Sequence, residues 1–237
     1  MTARASLFSH FVSTRGTFRW LSPLVIVSSA AAWIAVGFDI AEIRLLLRQE
    51  MGLASAGENA AHAFVQQLVF QTQMTLLAAT AIAFMTWLYR CRANLRAFGT
   101  RRLRYSRNWT ILGFLIPGVN LVRPYQVVRE VWQASDPGAT GPLDWKAVKP
   151  SRLLRAWWGT FVAFVVFKML AWWMTWSASY DLFRLQIAEG VLTLADILAA
   201  VSVSLVYFVV EHITDAQQAK WERLSPPPGH LAPARDG

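Results

Sequence analysis

The feature that most constrains this chain is the length of its apolar runs. Residues 21–38 and 68–89 contain no charged side chain, and a run of about 18 such residues is long enough to cross a bilayer as a helix. A third run, 156–176, is interrupted only by Lys168. A fourth, 197–210, reaches this length when it is extended back to residue 191 across Asp196. We therefore predict an all-α, polytopic membrane protein with four transmembrane helices, at about residues 20–38, 67–89, 154–176 and 191–211.

The charge distribution orients these helices. Only 16% of the residues are charged, yet the formal net charge is +9, whereas a soluble domain carries about 25% charged residues. Lys and Arg are retained on the cytoplasmic side during insertion, so we predict that both termini and residues 90–155 are cytoplasmic. Residues 39–67 and 177–190 are then outside. Because orientation explains most of the positive charge, no nucleic-acid partner is predicted. The arginines that follow the second run, without an acidic residue among them, are Arg90, Arg92, Arg96, Arg101, Arg102, Arg104 and Arg107.

The remaining segments are organised around the spans. Residues 1–18 are predicted to form a short cytoplasmic arm, residues 19–223 a single membrane domain, and the Pro-rich residues 224–237 a disordered tail. The apolar spacing within residues 40–51 predicts a separate amphipathic helix on the outer surface, ended at Gly52.

The second span is predicted to extend beyond the membrane. We expect its helix to begin near His62 and to end at Phe98, with Gly99 as the C-cap. The single cysteine, Cys91, lies just past this span and excludes an internal disulfide framework.

The stretch FLIPGVNLVRPYQVVRE, residues 114–130, is apolar at its start but too short to cross a bilayer. Pro117-Gly118 breaks it, and both of its flanks are basic, so its two ends are predicted to lie on the cytoplasmic side. Residues 110–134 are therefore predicted to form a re-entrant or interfacial helical hairpin that packs against the other helices. After Pro124 we expect a helix that lies flat on the cytoplasmic surface, with Arg129, Glu130 and Gln133 on its polar face.

Two segments around this stretch carry a family resemblance. WLYRCRANLRAFG (87–99) and RYSRNWTILGFLIPGVNLVRPYQVVREVWQAS (104–135) resemble the bacterial membrane family catalogued as domain of unknown function 4328. The resemblance covers about residues 60–215, and Arg107-Asn108 stands where the family pattern has a Pro-containing turn. It implies an integral protein of the bacterial inner membrane and brings no known reaction. The positions that match the family pattern are Tyr89, Arg90, Asn94, Leu95, Gly99, Phe114, Pro117, Asn120, Leu121, Pro124, Tyr125, Gln126, Arg129, Glu130 and Trp132.

Two ionisable residues within the predicted spans are candidate functional residues. Lys168 and Asp196 lie at similar depths in the third and fourth spans, and an isolated charge in the membrane is costly, so we predict that they pair. The pair could lock two helices together or belong to an ion or proton path, or Lys168 could extend to the membrane surface instead.

Polar residues also follow one face of the second span. Gln67, Gln71 and Thr75 recur at i, i+4 spacing, followed by Ala79 and Ala83. Glutamine is costly in hydrocarbon without a partner, so we expect this stripe to face other helices. A water-lined path is the alternative.

Polar residues on the predicted cytoplasmic side suggest a second site. A salt-bridged clamp could join the end of the second helix to the hairpin, with Glu130 as its acid. A binding site for a phosphate or another anion would use the same arginines. The residues of this clamp or anion site are Arg90, Asn94, Arg96, Asn120, Arg123, Arg129 and Glu130. Contact with anionic lipid headgroups is predicted for Arg101, Arg102, Arg104 and Arg107.

The sequence contains no motif for catalysis. Its histidines have no metal-ligand spacing, and there is no nucleophile elbow or phosphate-binding loop. We therefore predict no enzyme activity, no cofactor and no metal. The main hypothesis is a membrane module that binds a partner protein or anionic lipid through its basic cytoplasmic face. The alternative is a small oligomeric channel or permease, with a path lined by Gln67, Gln71, Lys168 and Asp196.

Overall fold

The computed structural model describes residues 11–177 and 181–225, and every regular element within them is a helix. Six α-helices follow one another, and two short 3₁₀ turns, Val119–Leu121 and Asp144–Ala147, lie between them. The predicted disordered tail lies almost entirely outside the described residues, as does most of the N-terminal arm. The helices are α1 Arg15–Glu50, α2 Ala56–Ala97, α3 Trp109–Leu115, α4 Arg123–Ser135, α5 Arg152–Ser177 and α6 Leu182–Leu224.

Among the described residues, the helices α1, α2, α5 and α6 are long and apolar enough to cross a membrane. This finding confirms the prediction of an all-α, multi-pass membrane protein with four spans. The helices are longer than the predicted spans. In particular, α2 has 42 residues and α6 has 43, whereas about 20 residues suffice to cross the hydrocarbon core.

The chain forms two compact units. Within the described residues, unit 1 comprises 11–18, 85–150 and 210–225, and unit 2 comprises 19–84, 151–177 and 181–209. The long helices α1, α2 and α6 therefore each contribute residues to both units, whereas α3 and α4 belong to unit 1 and α5 to unit 2.

The predicted amphipathic helix after the first span is not a separate element. Helix α1 continues from Arg15 to Glu50, and Asp39, Leu45 and Leu46 are buried along its second half. The prediction was wrong because no Gly or Pro interrupts residues 39–51, and because these side chains are buried within unit 2. The helix does end where Gly52 predicts, with φ of +67° at that residue.

Both ends of helix α2 are specified locally. Ser55 and Glu58 form a capping box, in which the Glu58 N–H donates to Ser55 Oγ (3.2 Å) and the Ser55 N–H donates to Glu58 Oε2 (2.9 Å). At the far end of α2, Gly99 has φ of +72°, and the Thr100 N–H donates to the Leu95 carbonyl at 3.1 Å. This is the glycine C-cap that the sequence predicts.

Hydroxyl groups join the helices of unit 2. The hydroxyl oxygens of Ser28 on α1 and Thr80 on α2 are hydrogen-bonded at 2.8 Å. Those of Ser29 on α1 and Ser204 on α6 are hydrogen-bonded at 2.7 Å. Small hydroxyl residues let helix backbones approach closely in a membrane. These contacts fix which face of α2 points to the other helices of unit 2.

The polar stripe on α2 does not lie on that face. Gln67, Gln71 and Thr75 are exposed, and only Ala79 and Ala83 are half-buried. The expectation that the whole stripe faces other helices was therefore wrong within this chain. The face of α2 that points to the other helices carries Thr80 and Phe84, each one residue after a member of the stripe. A shift of one residue corresponds to a rotation of about 100° around the helix axis.

The predicted hairpin is a short helix, a tight turn and a longer helix. Helix α3 ends before Pro117, and Gly118 takes a positive φ of +76° that allows the chain to turn. The turn is closed by the Asn120 N–H, which donates to the Ile116 carbonyl at 3.0 Å. Helix α3 then packs closely on α4 at Gly113, where a β-carbon would lie 3.3 Å from the β-carbon of Arg123.

Helix α4 does not expose the polar face that the sequence predicts. Val127, Val128 and Val131 are buried, but so are Glu130 and Gln133, which were expected on the polar face. These two polar side chains are buried because neighbouring backbone groups satisfy them: Gln133 donates to the Val148 carbonyl, and Glu130 accepts from N–H groups of the 101–107 loop. Arg129 alone of the expected polar face is exposed.

Candidate functional site

The structure brings Lys168 and Asp196 together in unit 2. Lys168 of α5 donates to both carboxylate oxygens of Asp196 on α6, each at 2.9 Å. The side chain of Asp196 is 15% exposed and that of Lys168 is 45% exposed. The carboxylate is thus the buried partner, and the ammonium group covers it.

Two further carboxylates, which the sequence analysis did not assign to this site, belong to the same cluster. Asp39 of α1 is only 7% exposed, and its charge interacts with those of Asp196, Lys168 and Glu189. Glu189 of α6 interacts in turn with Lys168 and Asp196. Asp39 was missed because the first span was predicted to end at residue 38. The i, i+7 spacing of Glu189 and Asp196 could have indicated a shared helical face.

A histidine–glutamate contact extends the cluster along the helices. His62 Nδ1 of α2 lies 2.6 Å from Glu42 Oε2 of α1, and Glu42 interacts with Glu189. Each of the four long helices therefore contributes at least one ionisable side chain to the cluster. These side chains are Asp39 and Glu42 of α1, His62 of α2, Lys168 of α5, and Glu189 and Asp196 of α6.

A cavity of about 530 Å³ lies beside the cluster, between α5 and α6. Lys168 and Glu189 line it together with apolar side chains such as Phe164, Met169 and Trp172. Both charged residues of the wall are thus reachable from this cavity.

Unit 1 contains the second predicted site, but with a different set of contacts. Glu130, 5% exposed, accepts hydrogen bonds from the backbone N–H groups of Arg104 (2.6 Å) and Tyr105 (3.4 Å). The cation that faces it is Arg92, with Nε 3.7 Å from Oε1. Burial raises the pKa of the Glu130 carboxyl, although these N–H groups and Arg92 lower it. The Glu130 carboxylate therefore connects α4 to α2 and to the loop of residues 101–107 through buried contacts.

The arginines expected to form the clamp are arranged otherwise. Arg90, Arg96 and Arg129 have exposed side chains. The ion pair that joins the end of α2 to the hairpin does use Glu130 as its acid, but its cation is Arg92. The partially buried Arg123 donates to Tyr105 Oη (3.3 Å) and to Gln126 Oε1 (3.1 Å). Asn120 stays in the turn of the hairpin, where its backbone N–H closes the turn.

Asn94 binds protein groups inside unit 1. Its amide nitrogen donates to the Val12 carbonyl (2.9 Å) and to Gln217 Oε1 (3.0 Å), and its amide oxygen accepts from the Val12 N–H at 3.2 Å. Gln217 then donates to the Cys91 carbonyl (3.0 Å) and to Ser135 Oγ (3.1 Å). Asn94 thus ties the N-terminal segment and α6 to α2.

Gln217 and the fully buried Lys220 were not predicted as site residues, and Lys220 donates to the Ala134 carbonyl at 2.8 Å. Both lie at i+4 and i+7 from the buried Ile213 of α6. Continuing the helical spacing of the last span past residue 211 would have found them.

A basic loop lies on the surface of unit 1, and we call residues 101–107 the arginine loop. Arg101, Arg102, Arg104 and Arg107 all have exposed side chains. The backbone beneath them is held: the Arg101 N–H donates to the Pro142 carbonyl (2.9 Å), and Trp145 Nε1 donates to the Arg101 carbonyl (3.1 Å). Arg102 has a φ of +55°, which is unusual outside glycine.

An apolar surface adjoins the arginine loop along the chain. Leu115 of α3 is 62% exposed, and other large apolar side chains of this hairpin are also exposed. We call this set the apolar tip, and its members are Ile111, Leu112, Leu115, Ile116 and Val122.

Comparison with known proteins agrees with the family resemblance. No curated protein and no solved structure matches the chain. A family model described as Domain of unknown function (DUF4328) matches residues 50–215. This range includes the helices from the start of α2 into α6, and with them the arginine loop, the hairpin and the cluster residues apart from Asp39 and Glu42. Because the match covers well over half of a four-span, all-helical membrane protein, the chain belongs to the DUF4328 family.

Proposed function

We propose that this protein is a non-catalytic module of the bacterial inner membrane that binds anionic phospholipid headgroups through the arginine loop. The observation that carries the proposal is the exposure of four arginines, Arg101, Arg102, Arg104 and Arg107, directly before the exposed apolar tip. Apolar side chains that enter the acyl boundary next to cations at headgroup level are the usual pattern of an interfacial membrane contact.

The charge balance of this part of unit 1 supports an anionic ligand. Residues 85–150 contain eleven Lys and Arg residues but only three Asp and Glu residues. One of the three acids, Glu130, is buried on backbone N–H groups and Arg92. The side chains of the four arginines are exposed, although the guanidinium group of Arg107 also lies 4.5 Å from the centroid of the Tyr89 ring. Guanidinium groups form bidentate hydrogen bonds with phosphate oxygens.

The same charge supports the proposed orientation. A segment so rich in Lys and Arg between two spans is retained in the cytoplasm. Both termini then lie in the cytoplasm as well, and the arginine loop meets the cytoplasmic leaflet, which carries the anionic lipids that attract basic segments.

An acidic partner protein is the competing ligand for the arginine loop. The apolar tip favours lipid, because its five large side chains are exposed and follow the arginine loop along the chain. Each basic residue near an anionic membrane surface contributes about 1 kcal/mol. Removing two should therefore weaken headgroup binding by about 2 kcal/mol, or roughly 30-fold.

The test is lipid retention measured by native mass spectrometry of the intact protein, titrated with phosphatidylglycerol in a neutral detergent. The variant is Arg101→Gln/Arg102→Gln, and its matched control is Arg44→Gln/Arg184→Gln, which removes two exposed arginines from unit 2. We expect weaker phosphatidylglycerol binding in the first variant only. Equal binding by both variants would overturn the proposal, and a stoichiometric protein that co-purifies with wild type but not with the first variant would replace lipid by a protein partner.

The alternative function, a small oligomeric channel or permease, is favoured by one observation. Gln67 and Gln71 are exposed on α2, and polar side chains in a membrane are best satisfied by a neighbouring helix. A path lined by Gln67, Gln71, Lys168 and Asp196 would need several copies of the chain. A monomer in mild detergent that passes no ions in liposomes would exclude this alternative.

A further inference from the structure

The charges of the cluster in unit 2 do not balance. Three carboxylates, those of Asp39, Glu189 and Asp196, interact with one ammonium group, that of Lys168. Uncompensated charge is expensive in a membrane interior. With all four groups ionised, the cluster would hold excess negative charge that no side chain within it offsets.

Asp39 is the residue whose hydrogen bonding is incomplete. It is 7% exposed, and its Oδ2 has no hydrogen-bond donor among the residues that the structure describes. Its carboxyl group faces that of Asp196, whose two oxygens already accept from Lys168. Two ionised carboxylates offer each other no hydrogen, so a hydrogen bond between them requires that one be protonated.

We propose that Asp39 and Asp196 form a proton-binding carboxyl pair, in which one bound proton is shared between the two side chains. Both oxygens of Asp196 already accept hydrogen bonds from Lys168, so the proton resides on Asp39 and is donated to Asp196. A series of ionisable side chains leads from this pair to the end of unit 2 where α1 and α2 are connected. In order, the series consists of Glu189, Glu42 and His62. Chains of Asp, Glu and His side chains serve as proton relays in membrane proteins.

The sequence makes this series one-sided. Asp196 lies 14 residues into α6, a rise of about 21 Å from the start of that helix. In the other direction, residues 20–38 of α1, 63–84 of α2, 156–167 of α5 and 197–209 of α6 contain no Asp, Glu, His or Lys. The pair therefore binds and releases protons from one side and does not conduct them across the membrane. This inference is independent of lipid binding by unit 1.

The test is infrared spectroscopy of the full protein in nanodiscs of phosphatidylcholine, titrated with acid and base. A protonated carboxyl group has a C=O stretch that ionised carboxylates lack and that shifts in D₂O. At pH 7, where exposed carboxyl groups are ionised, we expect one such band in the difference spectrum of wild type minus Asp39→Asn. The matched control is Asp215→Asn, which replaces an exposed aspartate of unit 1 and should keep the band.

A second variant guards against misfolding of the first. Asp196→Asn removes the acceptor of the shared proton and should shift the band of Asp39 without abolishing it. The proposal is overturned if the difference spectrum of wild type minus Asp39→Asn shows no protonated carboxyl band at pH 7. Loss of the band on addition of Na⁺ at constant pH would identify a metal cation in place of the proton. Sustained proton flux into liposomes would overturn the one-sided route.

Discussion

Replacing Glu130 by alanine tests whether this acid holds the arginine loop onto α4. The side chain is 5% exposed and accepts from the N–H groups of Arg104 and Tyr105, with Arg92 nearby. The substitution leaves two donors unsatisfied and a buried cation unpaired. A buried unsatisfied donor costs about 1–3 kcal/mol, and breaking a buried ion pair costs about 3–5 kcal/mol. Because these losses overlap, we expect Glu130→Ala to lower the free energy of unfolding by about 4 kcal/mol.

The assay is thermal unfolding in detergent, followed by tryptophan fluorescence. For a chain of this size, about 1 kcal/mol shifts Tm by about 2–4 °C, so a decrease of about 8–16 °C is expected. Glu222→Ala, which removes an exposed carboxylate of α6, is the control and should leave Tm almost unchanged. An unchanged Tm in Glu130→Ala would refute the assigned role of Glu130 and would favour an anion site built from the same arginines.

The pH dependence of Glu130 gives a second readout of the same contact. Its pKa is raised in the folded protein, chiefly by burial. The folded state therefore favours the protonated form, and this contribution to stability is complete below the unfolded pKa and is lost as pH rises through the folded pKa. Wild type should gain stability relative to Glu130→Gln as pH falls from neutral. A difference in Tm that does not change with pH would contradict the raised pKa.

Three further predictions concern other contacts. In a double-mutant cycle of Lys168→Ala and Asp196→Ala, unfolding in mixed micelles should give a coupling energy of about 1 kcal/mol, and strictly additive losses would show that the 2.9 Å contact is not maintained. Arg102→Gly should raise Tm slightly. The substitution relieves a positive φ, which costs about 1–2 kcal/mol, and this gain exceeds the entropic cost of glycine, about 0.5–1 kcal/mol. A lower Tm would mean that the Arg102 side chain stabilises the loop. Asn94→Ala should cost about 2 kcal/mol and should speed proteolysis near Val12, because Asn94 binds both the N–H and the carbonyl of that residue. Asn108→Ala, at an exposed asparagine of unit 1, is the control, and equal cleavage rates in the two variants would contradict this role.

The span positions and helix ends could be predicted because their causes are local. Charge-free runs define the spans, and Gly52 and Gly99 end their helices because each takes a positive φ. The proximity of Lys168 and Asp196 also followed from local information, since their depths can be counted from the ends of two adjacent spans.

The unpredicted features depend on contacts between distant parts of the chain. Asp39 was not assigned to the cluster because a charge at the edge of an apolar run usually ends the span, but in the structure it is buried and interacts with other charged side chains. Glu130 and Gln133 were assigned to a solvated face because the backbone groups that satisfy them lie about 25 and 15 residues away in sequence. Helical spacing also could not show which face of α2 is inside, because that face is set by hydroxyl contacts with α1.

The burial of Cys91 has a practical consequence for labelling. The chain contains one cysteine, and its side chain is 0% exposed inside unit 1. Folded protein should therefore behave as a cysteine-free background, in which a maleimide dye reacts only with a cysteine introduced at a surface position such as Arg102. In the unsubstituted chain, Cys91 can be alkylated only when unit 1 opens. The alkylation rate of this natural thiol therefore measures the local unfolding of that unit.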